Sequence, residues 1–299
     1  MDRTVEGYLA ELKGHLSGAD PALVQDALYD AEEYLRSAVA EHADDTDALD
    51  AAVEAYGSPA EVAASCRDAE LTVSAALRRP APAAERGPVA TFFGVLADPE
   101  AWGALFYMLL ALVTGVLYFT IAVTGLSLSL GMSILIVGIP IALLFIGITR
   151  AVSLAEGRVV EGLLGVRMPR RPRTVMAQGD FFARIKSWLV DWRTWTTMLY
   201  MVLQLPLGII YFTVVVTALA TSLGIFVAPI AQVVLGEPVI RTLEYGYLIE
   251  PWAMPLVMAA GVLGVIVTLW IAKGIGRLHG AYAKTLLVGR VGGGDQSVS

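Results

Sequence analysis

The sequence predicts an all-α fold in which a small soluble helical domain precedes a polytopic membrane domain. The 299 residues are 56% hydrophobic, with a mean hydropathy of +0.65, which is more apolar than is usual for soluble chains. Three stretches, 101–149, 194–236 and 251–272, contain no Asp, Glu, Lys or Arg. A membrane-crossing helix needs about 20 such residues, so the first stretch is long enough for two helices.

Charge separates the two domains. Residues 1–76 carry four basic and seventeen acidic residues, a net charge of −13, whereas the remainder carries seventeen basic and eleven acidic residues, a net of +6. We therefore place an acidic cytoplasmic domain at 1–76 and a Pro-rich linker at 77–90. The single Cys66 has no partner for an internal disulfide, which is typical of a reducing cytosol.

The acidic domain is predicted to be helical from its apolar spacing. Val5, Tyr8 and Leu12 recur on one helical face, and Asp20-Pro21 is typical of a helix start. The stretch "AYGSPAEVAA" at 55–64 predicts a corner between two helices. There Gly57 can end one helix, and Ser58 with Glu61 can form a capping box for the next. This motif builds structure and carries no chemistry.

The membrane domain, placed at 91–290, contains an internal repeat. "GVLYFTIAVT" at 115–124 returns as "GIIYFTVVVT" at 208–217, and Tyr107 falls on Tyr200 at the same offset of 93 residues. After a longer offset, "AEGRVVEGLLG" at 155–165 aligns with "LHGAYAKTLLV" at 278–288. We predict two parallel two-helix repeats. The predicted spans are 102–123, 130–150, 195–218 and 254–273, followed by a disordered tail at 291–299.

Lys and Arg counts predict the orientation. Nine basic residues lie in 150–193 and four in 273–299, but only Arg241 lies in 219–254 and none in the turn at 124–131. Basic residues favour the cytoplasmic side, so both termini are predicted to be cytoplasmic in the cell membrane. The apolar stretch 224–236 is short for a fifth crossing. It is interpreted either as an extension of the third helix or as an interfacial segment.

The candidate ligand or packing positions are the Tyr and Thr residues kept in both halves, together with Gln204. They are Tyr118, Thr120, Thr124, Gln204, Tyr211, Thr213 and Thr217. One interpretation is packing and interfacial anchoring, since a helical Thr can bond its own i−4 carbonyl and Gln204 can bond between helices. The other is a shallow outward cavity for a small amphiphile or lipid. Residues that could meet an external cue lie in 219–254, unless that segment is only a solvated loop: Glu237, Arg241, Glu244, Tyr245, Tyr247 and Glu250.

The segment "RMPRRPR" at 167–173 supplies a basic patch, defined here as Arg167, Arg170, Arg171 and Arg173. Its simplest role is control of topology. It could also bind anionic lipid, with each basic residue worth about 1 kcal/mol at the surface. A third interpretation is that the acidic domain docks on it, which would give a salt-sensitive closed state.

The sequence predicts no enzyme, metal site or cofactor. His15, His42 and His279 are scattered, and the chain has no HExxH, P-loop or GxSxG motif. No ionisable side chain lies inside a predicted span, which argues against proton-coupled transport.

Two stretches resemble known families. "YLAELKGHL", "DAEEY" and "AYGSPAEVA" resemble the HAAS domain, and D-x-x-x-W, Y-F-T-x-x-V-T and E-G-R-x-x-E-x-L-L-G resemble the prokaryotic "sensor" four-helix membrane domain. The resemblances cover about residues 4–70 and 90–290. They imply signalling without an assigned ligand. The second half has Leu278-His279-Gly280-Ala281 in place of E-G-R, so any role of Arg158 or Glu161 is confined to one half.

We therefore expect a non-catalytic, multi-pass signalling or regulatory protein that couples a membrane or external cue to a cytoplasmic partner through the N-terminal domain. The resemblance implies a PadR-like regulator or a kinase as that partner. The lipid bilayer is expected as surroundings, with no direct nucleic-acid contact, and a homo-oligomer is compatible with the sequence. The alternatives are a structural or accessory subunit of a membrane complex, and a small transporter.

Overall fold

A computed structural model of the chain describes residues 4–42, 47–77, 87–132, 138–171, 192–236, 240–241 and 246–288. The acidic domain contains α1 (Val5–His15), α2 (Pro21–Glu41), α3 (Ala48–Tyr56) and α4 (Pro59–Leu77). The rest contains α5 (Pro88–Gly94), a 3-10 turn (Val95–Ala97), α6 (Pro99–Gly131), α7 (Gly138–Leu164), α8 (Trp192–Leu235) and α9 (Met254–Leu287). Two short antiparallel strands, β1 (Ile240–Arg241) and β2 (Gly246–Tyr247), lie between α8 and α9. The prediction of an all-α fold is confirmed.

The acidic domain folds around apolar faces with the predicted spacing. Leu12, Leu16 and Leu35 are fully buried in its core. The predicted corner forms as a capping box, because the Ser58 backbone N–H donates to Glu61 Oε2 at 3.0 Å and Ser58 Oγ faces the Glu61 backbone nitrogen at 3.4 Å. Gly57 has a φ of 107°, a conformation that glycine adopts readily. These contacts join α3 to α4 as the sequence predicts.

Four helices, α6 to α9, are long and apolar enough to cross a membrane. The predicted number of spans, four, is confirmed. Many large apolar side chains on their outer faces are exposed, including Phe106, Val113, Ile210 and Leu263. A soluble protein rarely exposes so continuous an apolar surface, whereas lipid would cover it without cost.

The limits of three helices differ from the prediction. Helix α6 continues through the predicted turn at 124–131, α7 continues to Leu164 rather than ending at 150, and α9 continues to Leu287 rather than 273. Hydropathy locates an apolar window, but the backbone hydrogen bonds of a helix continue past it where nothing breaks them. Helix α8 is continuous to Leu235, so the 224–236 stretch extends the third helix.

Helices α6 and α8 meet through glycine at two points. A Cβ atom on Gly115 would lie 2.7 Å from the Gln204 carbonyl oxygen, and one on Gly208 would lie 2.3 Å from the Ala111 carbonyl oxygen. The offset of 93 residues exchanges the two contacts, because it relates Gly115 to Gly208 and Ala111 to Gln204. The repeat itself stays a prediction, but a duplicated two-helix unit would produce paired contacts of this kind.

Candidate functional site

The interior of the helix bundle contains a buried polar cluster. We use this name for Tyr107, Tyr118, Glu156, Tyr200, Gln204, Tyr211 and His279. Glu156 is 1% exposed and is surrounded by tyrosine hydroxyls. Its Oε1 lies 2.6 Å from the Tyr107 hydroxyl and 2.7 Å from the Tyr200 hydroxyl, and the Tyr118 hydroxyl donates to Oε2 at 2.8 Å. Three hydroxyl donors on one carboxylate compensate part of the cost of removing it from water.

His279 occupies the other side of the buried polar cluster and is also 1% exposed. Its Nε2 lies 2.6 Å from the Tyr107 hydroxyl and 3.1 Å from the Tyr200 hydroxyl, while Nδ1 lies 3.2 Å from the Tyr211 hydroxyl. The Gln204 amide donates to the Tyr107 oxygen at 3.1 Å. Four elements, α6 to α9, therefore each contribute a polar group to one connected network.

The members of this network fall into pairs along the predicted repeat. Tyr118 bonds Glu156 as Tyr211 bonds His279, and Tyr107 with Tyr200 contacts both. The alignment of 155–165 with 278–288 places Glu156 opposite His279. An acid in one half thus stands where the other half has a base. The second half departs from the E-G-R pattern at His279, and this difference makes the two halves of the network chemically unequal.

Two ionisable members of the buried polar cluster lie in the parts of α7 and α9 that continue past the predicted spans. Glu156 and His279 lie within α7 and α9, both of which qualify as spanning helices. The predicted spans end at 150 and 273, where the first basic residue appears, so both residues lie outside them. The aligned repeat carried the missed signal, because it set a carboxylate opposite an imidazole next to two duplicated tyrosines.

The structure separates the candidate residues into two groups. Tyr118, Tyr211 and Gln204 join the buried polar cluster, whereas Thr120, Thr124, Thr213 and Thr217 are exposed on the bundle surface. The Thr120 hydroxyl bonds the Val116 carbonyl at 2.7 Å, the local bond expected of a helical threonine. The two tyrosine hydroxyls thus point to internal partners and do not line an outward cavity with the threonines.

The candidate external segment is described only in part. Glu237, Glu244 and Tyr245 lie outside the described residues, Arg241 and Tyr247 belong to the two short strands, and Glu250 is exposed. The Gln232 side chain bonds the backbone N–H and carbonyl of Ile249 at 2.7 and 2.9 Å. These two hydrogen bonds fix the end of the segment to α8 before α9 begins.

A second polar site lies where the acidic domain meets the residues that follow α7. Asp26 Oδ1 accepts the backbone N–H groups of Arg170 and Arg171, each at 2.9 Å. Gln25 donates to the Arg171 carbonyl at 2.9 Å, and the Arg171 guanidinium lies 3.1 Å from Asp30. Burial raises the pKa of Asp26, although the two backbone bonds and the Arg167 charge act to lower it. The bonds therefore offset only part of the cost of burying this carboxylate.

Two further ion pairs complete this contact, which we call the docking face. Arg167 pairs with Glu70 on α4, and Lys284 near the end of α9 lies 2.5 Å from Asp20. The structure thus brings Arg167, Arg170 and Arg171 against the acidic domain or its neighbours, while Arg173 lies outside the described residues. Arg170 also contacts Glu161 at 3.2 Å. Both α7 and α9 end at the docking face.

Neither site has the composition of a metal centre. Within the described ranges, no group of three or more His, Cys, Asp or Glu side chains could hold a metal ion. The buried polar cluster has one carboxylate and one imidazole, with tyrosine hydroxyls and the Gln204 amide as the remaining polar groups. It is suited to hydrogen bonding and proton exchange.

The fold and these sites define a helical membrane protein that carries a soluble helical domain on the ends of its spans. Residues 107–287 match the model of the Sensor family, described as "Putative sensor", and residues 7–65 match the HAAS family. The chain belongs to the Sensor family, whose match covers more than half of it. Both resemblances are confirmed. Searches of curated proteins and of solved structures returned no match.

The matches agree with the architecture. The Sensor match begins at Tyr107 and ends at Leu287, so it includes every member of the buried polar cluster and Lys284 of the docking face. The HAAS match includes Asp20 and Asp26, which contact Lys284 and the Arg170–Arg171 backbone. The chain is a membrane sensor or regulatory protein in which the two matched domains are in contact.

Proposed function

We propose that this chain is a non-catalytic signalling protein of the cell membrane that holds its acidic domain closed and releases it to a cytoplasmic partner. One observation carries the proposal. The acidic domain rests on the residues after α7 and on Lys284 of α9. These are the two helices that bring Glu156 and His279 into the buried polar cluster. A change in the packing of either helix would therefore move part of the surface on which the acidic domain rests.

The energetics suit a reversible contact. The Arg171–Asp30 pair is about half exposed on both sides, and such exposed pairs contribute about 0–1 kcal/mol each. The two hydrogen bonds of Asp26 contribute more to the stability of the contact, but the cost of burying the carboxylate offsets part of that contribution. A cue that prefers one helix arrangement by a few kcal/mol could therefore shift the balance between the docked and released states.

The orientation belongs to this proposal. Basic residues concentrate in the patch at 167–173 and near the end of α9, and the acidic domain contacts both. The positive-inside rule then puts the docking face, both termini and the partner in the cytoplasm. A regulator of transcription or a kinase is the class of partner implied by the family resemblance.

The proposal is tested by reversing one charge on the membrane side. Arg171→Glu would place like charges together at Asp30, whereas Arg158→Glu makes the same change on an exposed α7 residue with no ion pair among the described residues. In vesicles, we expect Arg171→Glu to accelerate hydrogen exchange at the 170 and 171 amides and to increase capture of a cytoplasmic partner by the full chain. Arg158→Glu should change neither measurement.

Removal of residues 1–76 should abolish capture in either background. If Arg171→Glu opens the docking face but capture stays the same, docking does not control the partner and the signalling proposal is wrong. If removal of 1–76 leaves capture intact and instead disrupts a larger membrane complex, the chain is an accessory subunit.

A further inference from the structure

With Glu156 taken as ionised, hydrogen-bond counting assigns the protons of the buried polar cluster. Three hydroxyls contact the Glu156 carboxylate, those of Tyr107 and Tyr200 at Oε1 and that of Tyr118 at Oε2. An ionised carboxylate only accepts hydrogen bonds, and a hydroxyl has a single proton. Each of the three tyrosines must therefore donate its proton to Glu156. None of them has a proton left for His279.

The His279 ring must then supply the proton for its own bonds. Its Nε2 faces the Tyr107 and Tyr200 oxygens at 2.6 and 3.1 Å, and both oxygens can only accept there. The Gln204 amide also donates to the Tyr107 oxygen, which agrees with an oxygen whose proton points elsewhere. The network therefore selects the tautomer of His279 that carries hydrogen on Nε2.

The second ring nitrogen has a different partner. Nδ1 lies 3.2 Å from the Tyr211 hydroxyl. Unlike the other three tyrosines, Tyr211 does not bond Glu156. In a neutral ring, Tyr211 donates to Nδ1. In a doubly protonated ring, Nδ1–H donates to the Tyr211 oxygen after the hydroxyl rotates. A proton can thus add to Nδ1 while every other bond of the buried polar cluster stays in place.

We propose that Nδ1 of His279 is a proton-binding site inside the membrane domain. A proton from water adds to the Nδ1 lone pair, so the ring becomes an imidazolium and the net charge of the buried polar cluster changes from −1 to 0. A buried carboxylate without a counter-charge is costly, and an imidazolium joined to it through two hydroxyls supplies one. This inference concerns the buried polar cluster alone and does not require that docking transmits a signal.

The surroundings of His279 are aromatic. Four tyrosine rings surround the imidazole, with centroids at 4.8 Å for Tyr107, 6.1 Å for Tyr200, 5.5 Å for Tyr211 and 5.4 Å for Tyr282. Among the described residues, the titratable groups around His279 are these tyrosines, and Glu156 is joined to it through the Tyr107 and Tyr200 hydroxyls. The charged groups at the shared end of α6 and α9 pair with each other instead: Asp98 and Glu100 with Lys273, and Glu100 with Arg277.

The chain allows a direct test because it has only three histidines. His15 and His42 are exposed on the acidic domain, so His15→Gln with His42→Gln leaves His279 as the sole histidine. Nitrogen-15 NMR of this full-length variant in lipid nanodiscs then reports both ring nitrogens between about pH 8 and pH 4. We expect hydrogen on Nε2 alone at high pH and on both nitrogens at low pH.

Matched substitutions on α7 test whether the Glu156 carboxylate promotes protonation of His279. Glu156→Gln should reduce the fraction of doubly protonated rings at least about tenfold at a fixed pH, which corresponds to roughly one pH unit. Glu161→Gln makes the same change at a residue that contacts Arg170 outside the buried polar cluster and should leave the fraction unchanged. Three results overturn the proposal: hydrogen on Nδ1 alone, a protonated Glu156 beside a neutral ring, or a ring that stays neutral until the protein unfolds.

Discussion

At the scale of single residues, tyrosine hydroxyls decide whether a carboxylate can stay inside the bundle. Tyr118→Phe would remove the only hydroxyl that contacts Glu156 Oε2 among the described residues. An unsatisfied buried acceptor costs about 1–3 kcal/mol. We expect the variant to lower the free energy of unfolding by that amount, measured by denaturant titration in mixed detergent micelles.

Tyr282→Phe is the matched control, because the buried Tyr282 hydroxyl has no hydrogen-bond partner in the described structure. Its removal should change the free energy of unfolding by less than about 0.5 kcal/mol or stabilise the protein. Equal losses in the two variants would show that the hydrogen bond to Glu156 is not what the Tyr118 hydroxyl contributes to stability.

Residue types in the buried polar cluster were only partly predictable from the sequence. Tyr118, Gln204 and Tyr211 are polar groups inside apolar stretches, and such groups attract notice in any membrane segment. Glu156 and His279 follow a basic residue and look like parts of a cytoplasmic extension. Their burial depends on the direction of the helices and on which faces meet, and periodicity along one helix does not contain that information.

At the scale of helices, close approach of α6 and α8 depends on two glycines without side chains. Gly115→Ala and Gly208→Ala would each set a methyl group against a backbone carbonyl of the other helix. Backbone atoms cannot rotate away as a side chain can, so the helices must separate. Overpacking of this kind costs about 1–3 kcal/mol. We expect similar losses in the free energy of unfolding for both variants.

Gly224→Ala is the control for this pair. It lies on α8, but no atom lies within 4 Å of the position of its Cβ. It should be neutral or slightly stabilising, because alanine is the better helix former. A large loss at Gly115 with none at Gly208 would contradict the matched packing of the two halves.

Local signals predicted helix starts better than helix ends. The first turns of α2 and α4 are marked by Asp20 with Pro21 and by the capping box at Ser58 and Glu61. These residues have direct physical roles at a helix start, so both starts can be recognised in the sequence. The end of α6 has no such mark before Gly131. The apolar run through 124–131 continues as helix because no proline, charge or left-handed glycine interrupts it.

At the scale of the whole molecule, the charge division between the two domains predicted a docking interaction but not its details. A net −13 domain beside an arginine-rich patch suggests contact. It does not reveal that Asp26 binds the backbone of Arg170 and Arg171, or that Lys284 from the end of α9 joins the docking face. Those pairings depend on where α7 and α9 end in space, and helix packing sets those positions.

The docking face should therefore be more sensitive to salt than the helix bundle. Its ion pairs are partly exposed, and the screening length falls from about 10 Å at 0.1 M to about 3 Å at 1 M salt. In vesicles, we expect hydrogen exchange at the amides of 170 and 171 to accelerate severalfold over that range. Amides of α6 beside Tyr107 and Tyr118 should not respond, because apolar packing and backbone bonds protect them. Protection of 170 and 171 that persists at 1 M salt would mean that apolar contacts, rather than charge, hold the acidic domain in place.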